Sequence, residues 1–149
     1  MKKYYKLGSV LFCMILIYYF SQQTVYESIR LSSVATMVFT GILELFFPHS
    51  VYEEEYIHHI VRKLAHFTIY FILGVLVSYL LNVGKRKGKK IILIAVICCL
   101  LFAISDETLQ LFIYGRGAQV TDVVIDISGA SLGILFVYFS RKYFKKIAR

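Results

Sequence analysis

At 149 residues, with 58% hydrophobic residues and a mean hydropathy of +0.69, the chain has room for one domain, residues 1–149. It is too apolar to be disordered or to form an ordinary soluble core. A net charge of +8 would suit nucleic acid, but the basic residues are divided among three short segments beside apolar runs, which excludes one nucleic-acid patch and that class of partner.

Those segments are Lys2, Lys3, Lys6; Lys85, Arg86, Lys87, Lys89, Lys90; and Arg141, Lys142, Lys145, Lys146, Arg149, and none contains an acid. All nine acids lie elsewhere, together with Arg30, Arg62, Lys63 and Arg116. Lys/Arg-rich loops stay cytoplasmic, so the pattern predicts both termini and the central basic loop inside the cell membrane and the acids outside. The expected fold is an all-α, multi-pass bundle of about four transmembrane helices.

The first apolar run, Leu7 to Phe20, follows a Lys-rich start and ends Tyr18-Tyr19-Phe20. A cleavable signal needs small residues there, so the run reads as an uncleaved first span, extended inward by Tyr4 and Tyr5. Cys13, Cys98 and Cys99 fall inside apolar runs without metal or redox spacing, and read as small hydrophobes. Val34 to Phe47 is too short to span, is interrupted by Gly41 and Glu44, and ends at Pro48. An interfacial or re-entrant helix on the outer face is expected there.

Ser50-Val51-Tyr52-Glu53 has capping-box spacing and opens the second span, which runs without a breaker apart from Gly74 until Asn82-Val83-Gly84. Its first turns, with Glu53, Glu54, Glu55, His58 and His59, are expected in solvent above the membrane. The third span runs from Ile91 to about Tyr114, followed by a Gly115-Arg116-Gly117 turn. The fourth starts near Thr121 or Asp122 and ends at Arg141. Its Gly129 and Gly133 form a GxxxG run, which can pack inside the bundle or join two copies in an oligomer.

His66, Asp106 and Asp126 each lie fifteen residues from the cytoplasmic end of their span. At about 1.5 Å per residue they share one level, roughly 22 Å into a core about 30 Å thick. Arg62, Gln110 and Asp122 come one turn nearer the outside. Ionisable groups in a membrane cost about 2.5–3.5 kcal/mol each at mid-depth and persist when they face one another. The expected pairs are Arg62 and His66 with Asp106, Glu107, Asp122 and Asp126. His66 with Asp106, Asp126 and Glu107 would suit a divalent cation, but Arg62 and Lys63 nearby disfavour one and suit a phosphate or carboxylate. Neither metal nor cofactor is therefore expected. His66 with Asp106 or Glu107 could act as an acid/base pair, although no hydrolase or metalloprotease motif is present.

Arg62-Lys63-Leu64-Ala65-His66-Phe67 with Tyr70 and Gly74, then Ser105-Asp106-Glu107, Gln110, Phe112, Arg116, Asp122, Gly129 and Gly133, resemble the core motifs of VanZ-like membrane proteins. Phe20-Ser21-Gln22 resembles the family's signature at the end of its first helix. One departure is Asp126, where the family often has Asn. The resemblance implies an integral membrane protein of a family that includes a teicoplanin-resistance protein.

Three functions follow as expectations. The first is binding of a lipid, a lipid-linked peptidoglycan precursor or a lipoglycopeptide at the outer leaflet. Arg62, Lys63 and Arg116 would hold its anion, Asp106, Glu107 and Asp122 would orient them, His66, Gln110 and Tyr70 would hydrogen-bond, and Asp126 belongs to the same binding set. The second is a membrane enzyme acting on such a substrate through His66 and Asp106 or Glu107. The third is a structural partner in a membrane complex.

Overall fold

A computed structural model of the protein describes residues 2–46, 54–83, 89–113 and 117–147. Five helices account for nearly all of them: α1 Lys2–Ser21, α2 Val25–Phe46, α3 Glu54–Leu81, α4 Lys90–Gln110 and α5 Val120–Ile147. No strand occurs among the described residues. α1, α3, α4 and α5 are long and apolar enough to cross a membrane, whereas the apolar stretch of α2, Ser32–Ile42, is shorter.

The spanning helices bury narrow stripes at helical spacing. Val10, Cys13 and Ile17 on α1 face Tyr70, Leu73 and Val77 on α3, Ala95, Cys99 and Ala103 on α4, and Ala130 and Ile134 on α5. The outward faces carry large apolar side chains such as Phe12, Ile72, Leu101 and Phe136. The polar side chains Ser21, Asp106, Glu107, Gln110, Asp122 and Asp126 are buried. Polar groups inside and apolar groups outside are what a lipid solvent requires. The three cysteines are free thiols, Cys13 and Cys99 buried and Cys98 exposed.

α3 is the centre of the bundle and packs against the other four helices. It runs parallel to α5, because Arg62 meets Asp122 near the start of both and Arg141 reaches Val83 at their far ends. A Cβ added to Gly129 would strike the Phe67 carbonyl, one on Gly133 the Phe71 carbonyl, and one on Gly74 the Ala130 carbonyl. The backbones therefore approach as closely as glycine permits. Gly129 and Gly133 pack against α3 of the same chain, the in-bundle use of the GxxxG run.

At one end, Asn82 takes a left-handed φ of 59° and Val83 N–H donates to the Ser78 carbonyl at 3.0 Å, closing α3 with a Schellman turn. Lys6 Nζ donates to the Tyr79 carbonyl at 3.0 Å and to Asn82 Oδ1 at 3.5 Å. Arg141 donates to the Val83 carbonyl, with its guanidinium 4.6 Å over the Tyr79 ring. Basic residues from the start of α1 and the end of α5 thus neutralise the carbonyl end of α3.

Three expectations need correction. α2 begins at Val25, well before Val34, because Thr24 and Glu27 form a reciprocal capping box: the Thr24 N–H and hydroxyl each donate to Glu27 Oε2 at 2.9 Å, and Glu27 N–H donates to Thr24 Oγ1 at 3.3 Å. The helix also continues through Gly41. Second, α4 ends at Gln110 rather than near Tyr114, since the amides of Leu111, Phe112 and Ile113 each turn back to a carbonyl three residues earlier. Third, His58 does not stand in solvent. It is 8% exposed, and its Nδ1 lies 2.9 Å from Thr36 Oγ1 and 3.2 Å from Ser32 Oγ, docking α2 on α3. His59 is exposed as expected. The Ser50–Glu53 box and Pro48 lie outside the described residues.

Candidate functional site

The polar residues collect at the opposite end of the bundle, and each helix contributes through a short periodic run. On α3, Arg62, His66 and Tyr70 are spaced by four and share a face; Asp106 and Gln110 do so on α4, and Asp122 and Asp126 on α5. Because α3 and α5 are parallel and in glycine contact, equal steps along them stay in register.

Two layers result. In the upper layer, Arg62 Nη2 lies 3.6 Å from Asp122 Oδ2 and Lys63 Nζ lies 3.5 Å from Asp122 Oδ1. Both cationic side chains are partly exposed, 23% and 29%, while that of Asp122 is at 10%. One turn deeper, His66 Nδ1 is 3.5 Å from Asp126 Oδ1. One donor atom from each of His66, Asp106 and Asp126 falls within 4.8 Å of the other two. The level inferred from counting fifteen residues along each helix is therefore a real three-helix convergence.

Asp106 is held from two sides. Tyr70 Oη donates to its Oδ2 in a long hydrogen bond of 3.5 Å, and Ser21 hydrogen-bonds the same carboxylate. Gln110 Nε2 in turn donates to Ser21 Oγ at 2.6 Å, tying α4 to the end of α1. A shallow recess of about 10 Å³ between α3 and α5 is lined by Arg62, Lys63, His66, Asp122, Ile125 and Asp126.

The remaining expected residues take different places. Glu107 meets neither Arg62 nor Lys63 in a described ion pair; its Oε1 accepts the Gln119 backbone N–H at 2.5 Å and so anchors the segment entering α5. Tyr70 and Gln110, expected to touch a ligand, are 0% and 1% exposed and donate hydrogen bonds to Asp106 and Ser21. Arg116 lies outside the described residues. Ser21 belongs to the site although reading residue types for charge passes over it; its signal was the Phe20-Ser21-Gln22 resemblance. Gln119 contributes a backbone amide, which no side-chain pattern announces.

Charge is unevenly shared. Asp106, Glu107, Asp122 and Asp126 bring four carboxylates against Arg62, Lys63 and one imidazole, and both cations are engaged by Asp122. The deep layer has only His66 opposite two carboxylates.

A profile of the VanZ/LLP1 family matches residues 7–141, from within α1 to within α5. Searches of curated proteins and of solved structures return no match. The profile covers most of the bundle and every described residue of the site, and the chain belongs to the VanZ-like family of membrane proteins.

Proposed function

We propose that the protein is a membrane component of the bacterial cell envelope that binds the anionic group of an amphiphile at the outer leaflet. The candidates are a lipid, a lipid-linked peptidoglycan precursor or a lipoglycopeptide such as teicoplanin, so that resistance to such an antibiotic is a cellular outcome to test. The supporting observation is that Arg62 and Lys63, adjacent and partly exposed, share the single carboxylate of Asp122 on the rim of a recess. One carboxylate balances one of two cations, and the surplus positive charge with its free N–H donors suits a phosphate or carboxylate. An acyl chain would lie along the apolar outer faces of the bundle.

The test is mass spectrometry of lipids retained by the purified protein, comparing wild type with Arg62→Ala and Lys63→Ala. An anionic lipid carried by wild type and lost from both variants is expected; equal retention would refute the reading.

A second reading, a membrane enzyme, is favoured by the 3.5 Å approach of His66 to Asp126 beside Asp106, an arrangement suited to proton transfer. His66→Ala with ligand retained but cellular function lost would favour catalysis. Joint loss would favour binding.

A further inference from the structure

Asp122 offsets one of the two positive charges that Arg62 and Lys63 bring near His66. Both are engaged by Asp122, one helical turn above, and the deep layer is left with two carboxylates and one imidazole. Asp106 and Asp126 are 2% and 1% exposed; Asp106 Oδ1 has no hydrogen-bond partner, and Asp126 Oδ1 faces His66 Nδ1 at 3.5 Å. Burying a carboxylate oxygen without a donor is costly, and two buried carboxylates in one place call for a positive charge between them. The donors come from three different helices, so the assembled bundle creates the arrangement rather than one stretch of sequence.

We propose that His66, Asp106 and Asp126 form a binding site for one divalent transition-metal cation. One imidazole nitrogen with two carboxylates favours a borderline ion such as Zn²⁺ or Mn²⁺ over Mg²⁺ or Ca²⁺, which prefer oxygen alone. The donor atoms lie within 4.8 Å of one another, and rotation of the short Asp side chains can close the remaining distance to a shared ion. Tyr70 and Ser21 then have a defined purpose. By holding the Asp106 carboxylate, Tyr70 at Oδ2, they leave Oδ1 directed to the ion, as partners of metal-bound carboxylates commonly do. Asp126 supplies the second negative ligand. This site stands whether or not Arg62 and Lys63 hold an anion.

The experiment is titration of chelator-treated, detergent-purified protein with Mn²⁺ by electron paramagnetic resonance and with Zn²⁺ by calorimetry, without added lipid. Wild type is expected to bind one equivalent. Asp126→Asn and His66→Ala should each weaken binding at least about 100-fold, and Tyr70→Phe by about 10–100-fold. Arg62→Ala should bind metal as wild type does, even if it loses an anionic lipid, which separates this inference from the proposed function. No stoichiometric binding by well-folded wild type would overturn the site. So would binding that survives both Asp126→Asn and His66→Ala unchanged. Because the wild-type titration needs no variant to fold, a misfolded mutant cannot rescue the proposal.

Discussion

His66 Nδ1 faces Asp126 Oδ1 at 3.5 Å across the seam between α3 and α5, one turn below the contact of Lys63 with Asp122. Two consecutive contacts between parallel helices fix both their register and their rotation. The glycines hold that geometry, since the backbones meet at Gly74, Gly129 and Gly133, immediately below the charged layers.

The seam is the first target. Gly129→Ala, Gly133→Ala and Gly74→Ala each place a methyl group against a backbone carbonyl and should destabilise the protein by about 1–3 kcal/mol. Gly8→Ala and Gly41→Ala meet nothing within 4 Å and should be neutral. Thermal unfolding in detergent distinguishes the two groups; equal effects would refute the close approach.

Asp122 pairs with two cations, so losing it should cost more than losing either. Asp122→Asn is expected to destabilise by about 3 kcal/mol, and Arg62→Met or Lys63→Met by about 1 kcal/mol. Double-mutant cycles should show coupling of Arg62 to Asp122 and none to Asp106. Coupling of Arg62 to Asp106 instead would contradict the observed pairing.

His58 ties α2 to the bundle through Thr36 and Ser32. His58→Ala should speed hydrogen exchange across α2 while the amides around Leu73 and Ile134 keep their protection. Unchanged exchange in α2 would show that apolar contacts alone hold it.

The start of α2 should respond to acid. The backbone N–H and the hydroxyl of Thr24 hold the Glu27 carboxyl below its ordinary range. A carboxylate favoured in the folded state contributes its stability above the ordinary value and loses it as pH falls through the lowered one. The first turn of α2 should therefore fray below about pH 4, in the range of ordinary Glu carboxyls. Glu27→Gln should abolish that dependence, and NMR titration of residues 24 to 28 measures both.

The basic segments predict an orientation. In a cysteine-free background, Cys at Glu55 or Gln119 should react with an impermeant thiol reagent applied outside intact cells, and Cys at Lys145 only after lysis. Labelling of positions 119 and 145 from the same side would overturn the inward placement of the basic loops.

Much of this was legible in advance because helix rise is constant. Counting fifteen residues from a boundary gives depth directly, which is why His66, Asp106 and Asp126 could be set at one level before any packing was known. The Thr24–Glu27 box is equally readable, as Thr-x-x-Glu ahead of an apolar run, the same spacing as Ser50 to Glu53. His58 was misplaced because a histidine near acids at a helix start looks solvated until another helix covers it.

Apolar runs and the placement of Lys and Arg, on their own, set the number of spans and the level of the polar residues, while the motifs around His66 and Asp106 carry the family resemblance. Rotation of each helix about its axis, and the choice of neighbour, are decided by contacts between residues distant in the chain. Only the tertiary structure could therefore give Asp122 to both Arg62 and Lys63, turn Glu107 to a backbone amide, and leave two carboxylates beside His66. The physical reason is that depth in a membrane is a property of one helix, whereas pairing is a property of two.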